Sequence, residues 1–263
     1  MITSTANQKV KNIISLMKKP KLREEQGVFL VEGIKMVREA LSLRVQEVYI
    51  VDSFYQELMS KEPSFLKEVS VEVVSEQVMK AMTDTVSPQG ILALVSMPVY
   101  SFEEVVGSKE SCLILLENIR DPGNLGTILR TAEGAGVNGV ILSKECVDIY
   151  NPKVVRSTMG SIFRVPFLYT ESLHQTITEI KKRGIRLYAA HLKATVNYEE
   201  MDYTKGCGFL IGNEANGLTE ETAKMADDYV IIPMLGKVES LNAAMATSIL
   251  AFEVARQRRL INK

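Results

Sequence analysis

Residues 111–142 read SCLILLENIRDPGNLGTILRTAEGAGVNGVIL, and this stretch decides the fold of the C-terminal half. It begins with an apolar run that predicts a strand over 111–117, followed by a helix over 124–136 and a second strand over 137–142. Apolar strands that alternate with helices predict a parallel sheet covered on both faces. Further strands are predicted at 186–190, 208–211 and 229–232, and a long helix from Leu241.

The first hundred residues predict a smaller α/β domain. Apolar residues at helical spacing indicate a helix over 7–17, and a second helix is expected over 34–41. Short β-branched or apolar runs predict the strands 27–33, 45–51, 69–74 and 90–95. Residues 98–107 are the expected linker. We therefore predict an N-terminal domain over 1–98 and a C-terminal domain over 105–263.

Composition indicates a globular protein, with 46% hydrophobic and 24% charged residues. Cys112, Cys146 and Cys207 lie far apart without zinc spacing, so we expect buried, reduced thiols, no metal site and a cytoplasmic protein. We expect no signal peptide, because the N-terminus lacks a basic region followed by an apolar run. No apolar stretch approaches the roughly 18–20 residues that span a bilayer.

The net charge of −1 is weak evidence against a nucleic-acid partner, but basic residues gather at both ends. These ends predict either local phosphate-binding patches or ordinary solvated helix faces. The residues are Lys9, Lys11, Lys18, Lys19, Lys21 and Arg23 near the start, and Arg256, Arg258, Arg259 and Lys263 near the end.

Three motifs follow predicted strands, at the sheet edge where open α/β folds bind ligands. The first motif, residues 118–132, places Asn124 as a helix cap. Its apolar spacing also predicts that Arg130 points away from the core. The expected buried face is Leu125, Ile128, Leu129 and Ala132. Taken alone, this pattern favours an ordinary surface arginine on a capped helix.

The second motif, residues 209–218, runs from an apolar strand into Gly212, Asn213 and Glu214. Gly212 and Gly217 permit positive φ or a close backbone approach to a ligand. It matches neither a phosphate loop nor the dinucleotide GxGxxG pattern. A plain strand-to-helix turn remains the alternative.

The third motif, residues 231–246, turns at Gly236 and places Ser240 as a helix cap. Ser240 and Asn242 lie at the N-terminal end of that helix, where an anionic group is favoured. Ordinary capping is the alternative. The expected buried stripe of the helix is Leu241, Met245, Ile249 and Phe252.

Together, in this order, the three motifs closely resemble those of the SpoU (TrmH-like) 2′-O-ribose RNA methyltransferases of the SPOUT superfamily. The resemblance covers residues 105–262 and includes two segments, 151–157 and 159–161, that look like the family's Asn-Pro-x-x-x-Arg-Ser and Gly-Ser sequences. The N-terminal domain resembles the ribosomal-protein-like RNA-binding domain of many members. One departure is Ala215, where many members have glycine.

The resemblance implies an α/β fold whose C-terminal parallel sheet is tied in a deep trefoil knot, a homodimer, and S-adenosylmethionine as cofactor without a metal. It implies cofactor contacts from Gly212, Asn213, Ile232, Met234 and Leu241. It implies a catalytic set of Arg130, Asn124, Glu214, Ser240 and Asn242, in which Asn124 orients Arg130 or the substrate and Glu214 holds an arginine. His174 and His191 match no motif.

Transfer to a ribose 2′-hydroxyl requires positioning and the removal of one proton. Arginine is a poor base, since its intrinsic pKa exceeds about 12. Arg130 is therefore expected to hold the phosphate and hydroxyl, while the RNA phosphate assists deprotonation.

A fused RNA-binding domain favours ribosomal RNA as substrate, with tRNA as the alternative. A non-catalytic RNA-binding or ribosome-assembly factor is the alternative outside the enzyme class. Such a factor would not need the intact polar set around Arg130.

Overall fold

The computed structural model describes residues 1–261, which form two compact units. The first unit is Met1–Pro98 together with Tyr150–Phe163, and the second is Val99–Ile149 with the chain from Arg164 onward. Residues 151–161, expected in the C-terminal domain, thus cluster with the first unit. Lys263 lies outside the described residues.

Helices and strands alternate along most of the chain. The helices between residues 1 and 261 are α1 (Gln8–Lys18), α2 (Pro20–Gln26), α3 (Ile34–Ala40), α4 (Asp52–Lys61), α5 (Glu76–Met82), α6 (Phe102–Val106), α7 (Pro122–Ala135), α8 (Pro152–Ser157), α9 (Leu173–Lys182), α10 (Glu220–Lys224) and α11 (Ala243–Ile261). The strands of the same range are β1 (Val28–Glu32), β2 (Val45–Val51), β3 (Val71–Val74), β4 (Ile91–Ser96), β5 (Cys112–Leu116), β6 (Gly139–Ser143), β7 (Phe167–Thr170), β8 (Arg186–Ala190), β9 (Cys207–Ile211) and β10 (Asp228–Val230).

A six-stranded sheet forms the centre of the second unit, as described up to Ile261. Its order is β10-β8-β9-β5-β6-β7, and every neighbouring pair is parallel. Of the four interior strands, β9, β5 and β6 are buried at every position, as expected of a parallel sheet whose two faces are covered by helices. The prediction of a covered parallel sheet is confirmed.

Helix α7 presents the buried face that its spacing predicts. Leu125, Ile128, Leu129 and Ala132 are fully buried, whereas Arg130 is exposed. The helix begins at Pro122 rather than at Asn124, and its cap is Asp121, which accepts the backbone N–H of Asn124 at 2.8 Å. The prediction of Asn124 as the cap is wrong, since Pro122 occupies the first helical turn, where a missing N–H costs nothing.

Helix α11 turns a different face inward from the one expected. Its buried residues include Ala244, Thr247 and Leu250, whereas Met245 is 55% exposed and Phe252 is 50% exposed. Both faces carry apolar residues, so periodicity alone did not identify the covered one. The predicted buried stripe is therefore wrong at Met245 and Phe252.

The predicted linker 98–107 contains helix α6. Ser101 begins it with a capping box, in which the Glu104 carboxylate accepts from the Ser101 backbone N–H at 2.7 Å. Val105 and Val106 are fully buried in the core of the second unit. The linker prediction fails from Ser101 onward.

The first unit is built on a four-stranded sheet of order β1-β4-β2-β3. Segment Tyr150–Phe163 packs into it through an aromatic contact of 4.8 Å between the Phe29 and Tyr150 ring centroids. Arg156 pairs with Asp84 through both guanidinium nitrogens and lies 3.7 Å from the Glu32 carboxylate. Burial raises the pKa of Glu32, against the Thr85 hydrogen bond and the Arg156 charge, which lower it.

Several residues of the basic ends are held by the protein itself. Lys9 pairs with Glu47 at 2.5 Å and Glu72 at 2.6 Å. Arg23 is only 2% exposed and donates to the Leu16 carbonyl oxygen. At the other end, the side chains of Arg256 and Arg258 bond to Glu253 and to the carbonyls of Tyr203 and Lys205. Other basic residues in or between the first unit's two N-terminal helices are exposed, namely Lys11, Lys18, Lys19 and Lys21.

The three cysteines are buried and free, as predicted. Cys112 and Cys207 lie opposite each other on β5 and β9. Among the described helices, none is long and apolar enough to cross a membrane.

Candidate active site

A cavity of about 470 Å³ opens in the second unit at the carboxyl ends of β8, β9 and β10. The last residues of these strands, Ala190, Ile211 and Val230, line it. The strands are parallel neighbours, so their ends meet at one edge. The predicted site residues that also line the cavity are Gly212, Asn213, Glu214, Ile232, Met234, Ser240 and Leu241.

Loop 212–218 folds tightly on itself at the cavity wall. Asn213 and Gly217 exchange two backbone hydrogen bonds of 3.0 and 2.9 Å. A Cβ atom on Gly212 would lie 2.1 Å from the Gly217 carbonyl carbon and the Leu218 nitrogen. Gly212 is therefore required by the close approach of its own loop, whereas Gly217 is required by its φ of +68°.

Glu214 ties this loop to the first motif. Its carboxylate accepts from the backbone N–H groups of Arg120 at 3.2 Å and Asp121 at 3.1 Å, and from the Asn124 side-chain amide at 2.9 Å. Desolvation works to raise the pKa of Glu214, but these hydrogen bonds outweigh it and lower the pKa. The arginine that Glu214 contacts within residues 1–261 is Arg120, through its backbone N–H and not its guanidinium group.

Asn242 joins the third motif to the same network. Its amide nitrogen donates to Asn124 Oδ1 at 2.9 Å, and its Oδ1 accepts from the backbone N–H groups of Ala244 at 2.9 Å and Met245 at 3.3 Å. Asn242 is therefore the cap of α11. The prediction that Ser240 caps this helix is wrong, since the helix begins at Ala243. Ser240 lies instead in the cavity wall.

Arg130 stands apart from this network. Its side chain is exposed on α7 and makes no hydrogen bond or ion pair with another residue of the described chain. Neither it nor Asn124 nor Asn242 lines the cavity. Asn124 bonds to Glu214 and Asn242 and not to the Arg130 side chain. The alternative, that Asn124 orients the substrate, stays a prediction.

Sequence reasoning missed the segment that follows β8. His191, Leu192 and Lys193 line the cavity wall. His191 Nδ1 accepts the backbone N–H of Lys193 at 3.1 Å, and its ring packs on Tyr229 at 5.2 Å. Burial lowers the pKa of His191, and the Lys193 charge adds to this effect. The position of these residues after a parallel strand was the signal that could have found them.

His174 lies away from this wall. Its Nε2 is 2.9 Å from the Thr222 hydroxyl. No group of three or more His, Cys, Asp or Glu side chains within residues 1–261 is arranged to hold a metal ion.

Two family models match the chain. The SpoU rRNA Methylase family matches residues 111–252, more than half of the chain, and the MRM3-like substrate binding domain matches residues 7–93. The chain is 34% identical over 256 residues to the 23S rRNA (guanosine(2553)-2′-O)-methyltransferase RlmP of Bacillus subtilis (strain 168). That alignment covers 96% of this chain and 98% of the relative.

Solved structures share the fold over nearly the whole length. The AdoMet-bound rRNA methyltransferase from Sinorhizobium meliloti is 32% identical, with a TM-score of 0.85 and 97% of each chain covered. The SpoU methyltransferase AviRb from Streptomyces viridochromogenes, in complex with AdoMet, is 26% identical. It has a TM-score of 0.86 and covers 96% of this chain and 98% of its own.

Proposed function

The chain belongs to the SpoU rRNA methylase family, and from this premise we propose that it transfers a methyl group from S-adenosylmethionine to a ribose 2′-hydroxyl of ribosomal RNA. The observation that carries the proposal is the cavity at the ends of β8, β9 and β10, to which the second and third motifs both contribute. Its volume of about 470 Å³ falls in the range of small-molecule sites.

The residues of the cavity fit S-adenosylmethionine. An adenine ring needs apolar walls and a few backbone hydrogen bonds, and Ile232, Met234 and Leu241 supply aliphatic surface. Gly212 adds backbone to the wall without a side chain, and Asn213 lies next to it in the same wall. We assign these five residues to cofactor binding and add His191, whose ring lines the same cavity.

When bound, S-adenosylmethionine supplies a methyl group already activated on a sulfonium. The protein then has to hold the ribose and assist the loss of one proton. Arg130 suits the first task, since its guanidinium is exposed and has no partner among residues 1–261 that would compete with a phosphate. We propose that Arg130 holds the phosphate and the 2′ oxygen, and that the RNA phosphate assists deprotonation.

The other predicted catalytic residues are better described as a scaffold. Asn124, Glu214 and Asn242 hydrogen-bond in a chain that joins the three motifs. We propose that this chain fixes the cofactor wall relative to α7, which carries Arg130. Ser240, in the wall itself, is proposed to complete the pocket on the RNA side.

Two architectural features belong to the same proposal. We propose that the C-terminal segment passes through a loop to form a deep trefoil knot, as the family resemblance implies. We also propose a homodimer. The exposed apolar residues Met245 and Phe252 on α11 support it, because isolated chains seldom leave neighbouring large apolar side chains uncovered.

The first unit is proposed to bind the RNA and to be the N-terminal RNA-binding domain of the chain. Its match to a substrate binding domain and its exposed lysines 11, 18, 19 and 21 support this role. An rRNA substrate and buried, reduced thiols fit an enzyme of the cytoplasm. A tRNA substrate remains the alternative within the enzyme class.

The experiment is a mass map of ribose methylation in total RNA from a strain that lacks the protein. We expect one rRNA nucleotide to lose its 2′-O-methyl group and to regain it on complementation. Loss of a tRNA methyl group instead would favour the alternative substrate. No loss in any RNA would reject the proposal.

Two measurements on the purified protein separate the enzyme from a non-catalytic RNA binder. Calorimetry should detect S-adenosylmethionine binding, and its absence at millimolar cofactor would favour the binder. Arg130→Ala should abolish transfer and leave cofactor affinity within about twofold, because Arg130 lies outside the cavity wall. A fully active Arg130→Ala variant would remove Arg130 from the mechanism.

A further inference from the structure

Glu117 lies at the carboxyl end of β5, directly before the first motif, and has no assigned role. Its Oε2 accepts the backbone N–H of Thr219 at 2.7 Å, and its Oε1 accepts the Thr219 hydroxyl at 2.8 Å. The Thr222 hydroxyl also donates to Oε1. Thr219 is the residue that follows loop 212–218, and it caps α10.

The contacts of Glu117 mirror those of Glu214. Glu214 reaches from loop 212–218 to two backbone N–H groups before α7, and Glu117 reaches from the β5 end to the backbone N–H group before α10. Each segment thus supplies a carboxylate to the backbone of the other. Hydrogen bonds to a charged acceptor are stronger than neutral ones, so this exchange is a two-point clamp.

The two carboxylates hold different parts of loop 212–218, which forms part of the cavity wall. Glu214 fixes the tip of loop 212–218, where Asn213 also donates to the Asn118 carbonyl at 2.8 Å. Glu117 fixes the exit of the loop at Thr219. Without Glu117, the 2.9–3.0 Å bridge inside the loop would remain, but Thr219 at the loop exit would lose its two hydrogen bonds to the end of β5.

We propose that Glu117 is a positioning residue that holds the cofactor-binding loop 212–218 in its binding conformation through Thr219. This inference rests on the proposed function, in that the loop is taken to bind S-adenosylmethionine. Glu117 does not line the cavity, so it acts through the loop and not on the reacting atoms.

The expected effect follows from the fraction of molecules with an ordered loop. If removal of the carboxylate lowers that fraction to about one tenth, the apparent Kd rises about tenfold, and saturating cofactor restores the ordered state. Glu117→Ala should therefore raise the Kd and KM for S-adenosylmethionine about tenfold. The kcat at saturating cofactor should stay within about twofold of the wild-type value.

Glu117→Gln provides the conservative variant. It keeps the shape and one acceptor oxygen but loses the charge, so we expect an intermediate rise of about threefold in Kd. Glu110→Ala is the matched control, since Glu110 is an exposed glutamate shortly before β5 whose side chain contacts neither motif. Its Kd should equal that of the wild type.

A second measurement does not depend on the ligand. Hydrogen exchange of the backbone amides of residues 213–219 should be faster in Glu117→Ala and Glu117→Gln than in wild type or Glu110→Ala. If wild-type protein binds no S-adenosylmethionine, the proposed function fails, and the exchange measurement alone decides whether the clamp orders the loop.

Two results would overturn the inference. One is a folded Glu117→Gln or Glu117→Ala protein with wild-type Kd and wild-type exchange in residues 213–219. The other is a fall in kcat at saturating cofactor with an unchanged Kd, which would place Glu117 in the chemistry. Equal melting temperatures of variant and control would show that a change in Kd does not come from global unfolding.

Discussion

Replacing Gly212 with alanine tests whether the cofactor wall depends on the close packing of its own loop. The added Cβ would lie 2.1 Å from two backbone atoms, of Gly217 and Leu218, and ordinary contact begins at 3.4 Å. The two segments must therefore separate by about 1.3 Å. Backbone atoms cannot rotate away as a flexible side chain can, so the loop has to open.

The free energy needed to open the loop can be estimated from the contacts that the opening breaks. The two backbone hydrogen bonds between Asn213 and Gly217 contribute about 1 kcal/mol each. Overpacking strain adds about 1–3 kcal/mol. A total of about 3–5 kcal/mol corresponds to a loss of cofactor affinity of at least about 100-fold, since each 1.4 kcal/mol is a factor of about ten.

The assay is calorimetric titration of Gly212→Ala with S-adenosylmethionine, with circular dichroism to establish that the protein is folded. Gly236→Ala is the matched control, because a Cβ atom on Gly236, in the third motif, meets nothing within 4 Å. The control should bind normally. A folded Gly212→Ala protein whose Kd lies within about threefold of wild type would refute the reasoning.

Three other predictions concern the network, its response to pH and the exposed face of α11. Asn242→Ala should lower the free energy of unfolding by about 1–2.5 kcal/mol, since it removes the α11 cap and a bond to Asn124, whereas Ser240→Ala should leave it unchanged in denaturant titrations. Because the pKa of Glu214 is lowered, the stability difference between wild type and Glu214→Gln should be fully present above the ordinary value of 4.5. Melting curves should show that this stability difference disappears as the pH falls through the lowered pKa of Glu214 in the folded protein. A difference independent of pH would contradict this. Phe252→Asp should convert the proposed homodimer to a monomer in light scattering, because the interface would bury a charge. Val86→Asp should leave the dimer intact. An unchanged dimer in Phe252→Asp would exclude this face of α11 as the dimer interface.

The sequence predicted those parts of the fold whose patterns are local. Strand β8 matches its predicted bounds, and the helix and strand that follow β5 lie within two residues of theirs. The buried face of α7 was readable because only one side of that helix carries large apolar residues. Strand β7 was missed, since its four residues make too short a run to establish a periodic pattern.

The sequence predicted the position of the site in the fold, but it did not predict which of the site residues contact one another. The motifs that follow the strands predicted the position of the cavity, because the carboxyl ends of parallel strands lie at one edge of the sheet. Asn124, the side-chain partner of both Glu214 and Asn242, lies 90 and 118 residues from them along the chain, and spacing alone carries no information about such pairs. The clamp at Glu117 was missed for the same reason, since Thr219 is 102 residues away.

Segment Tyr150–Phe163 has a consequence for synthesis on the ribosome. Domains usually fold as units while the chain emerges, N-terminal first. In this protein the first unit cannot be completed when residue 98 is made, because Arg156 and Tyr150 are still missing. Until they appear, Glu32 lacks its guanidinium neighbour and Phe29 its aromatic contact. The order of translation therefore requires all of β5, α7 and β6 to be synthesised before the N-terminal unit can close. The last folding step of that unit thus depends on later sequence.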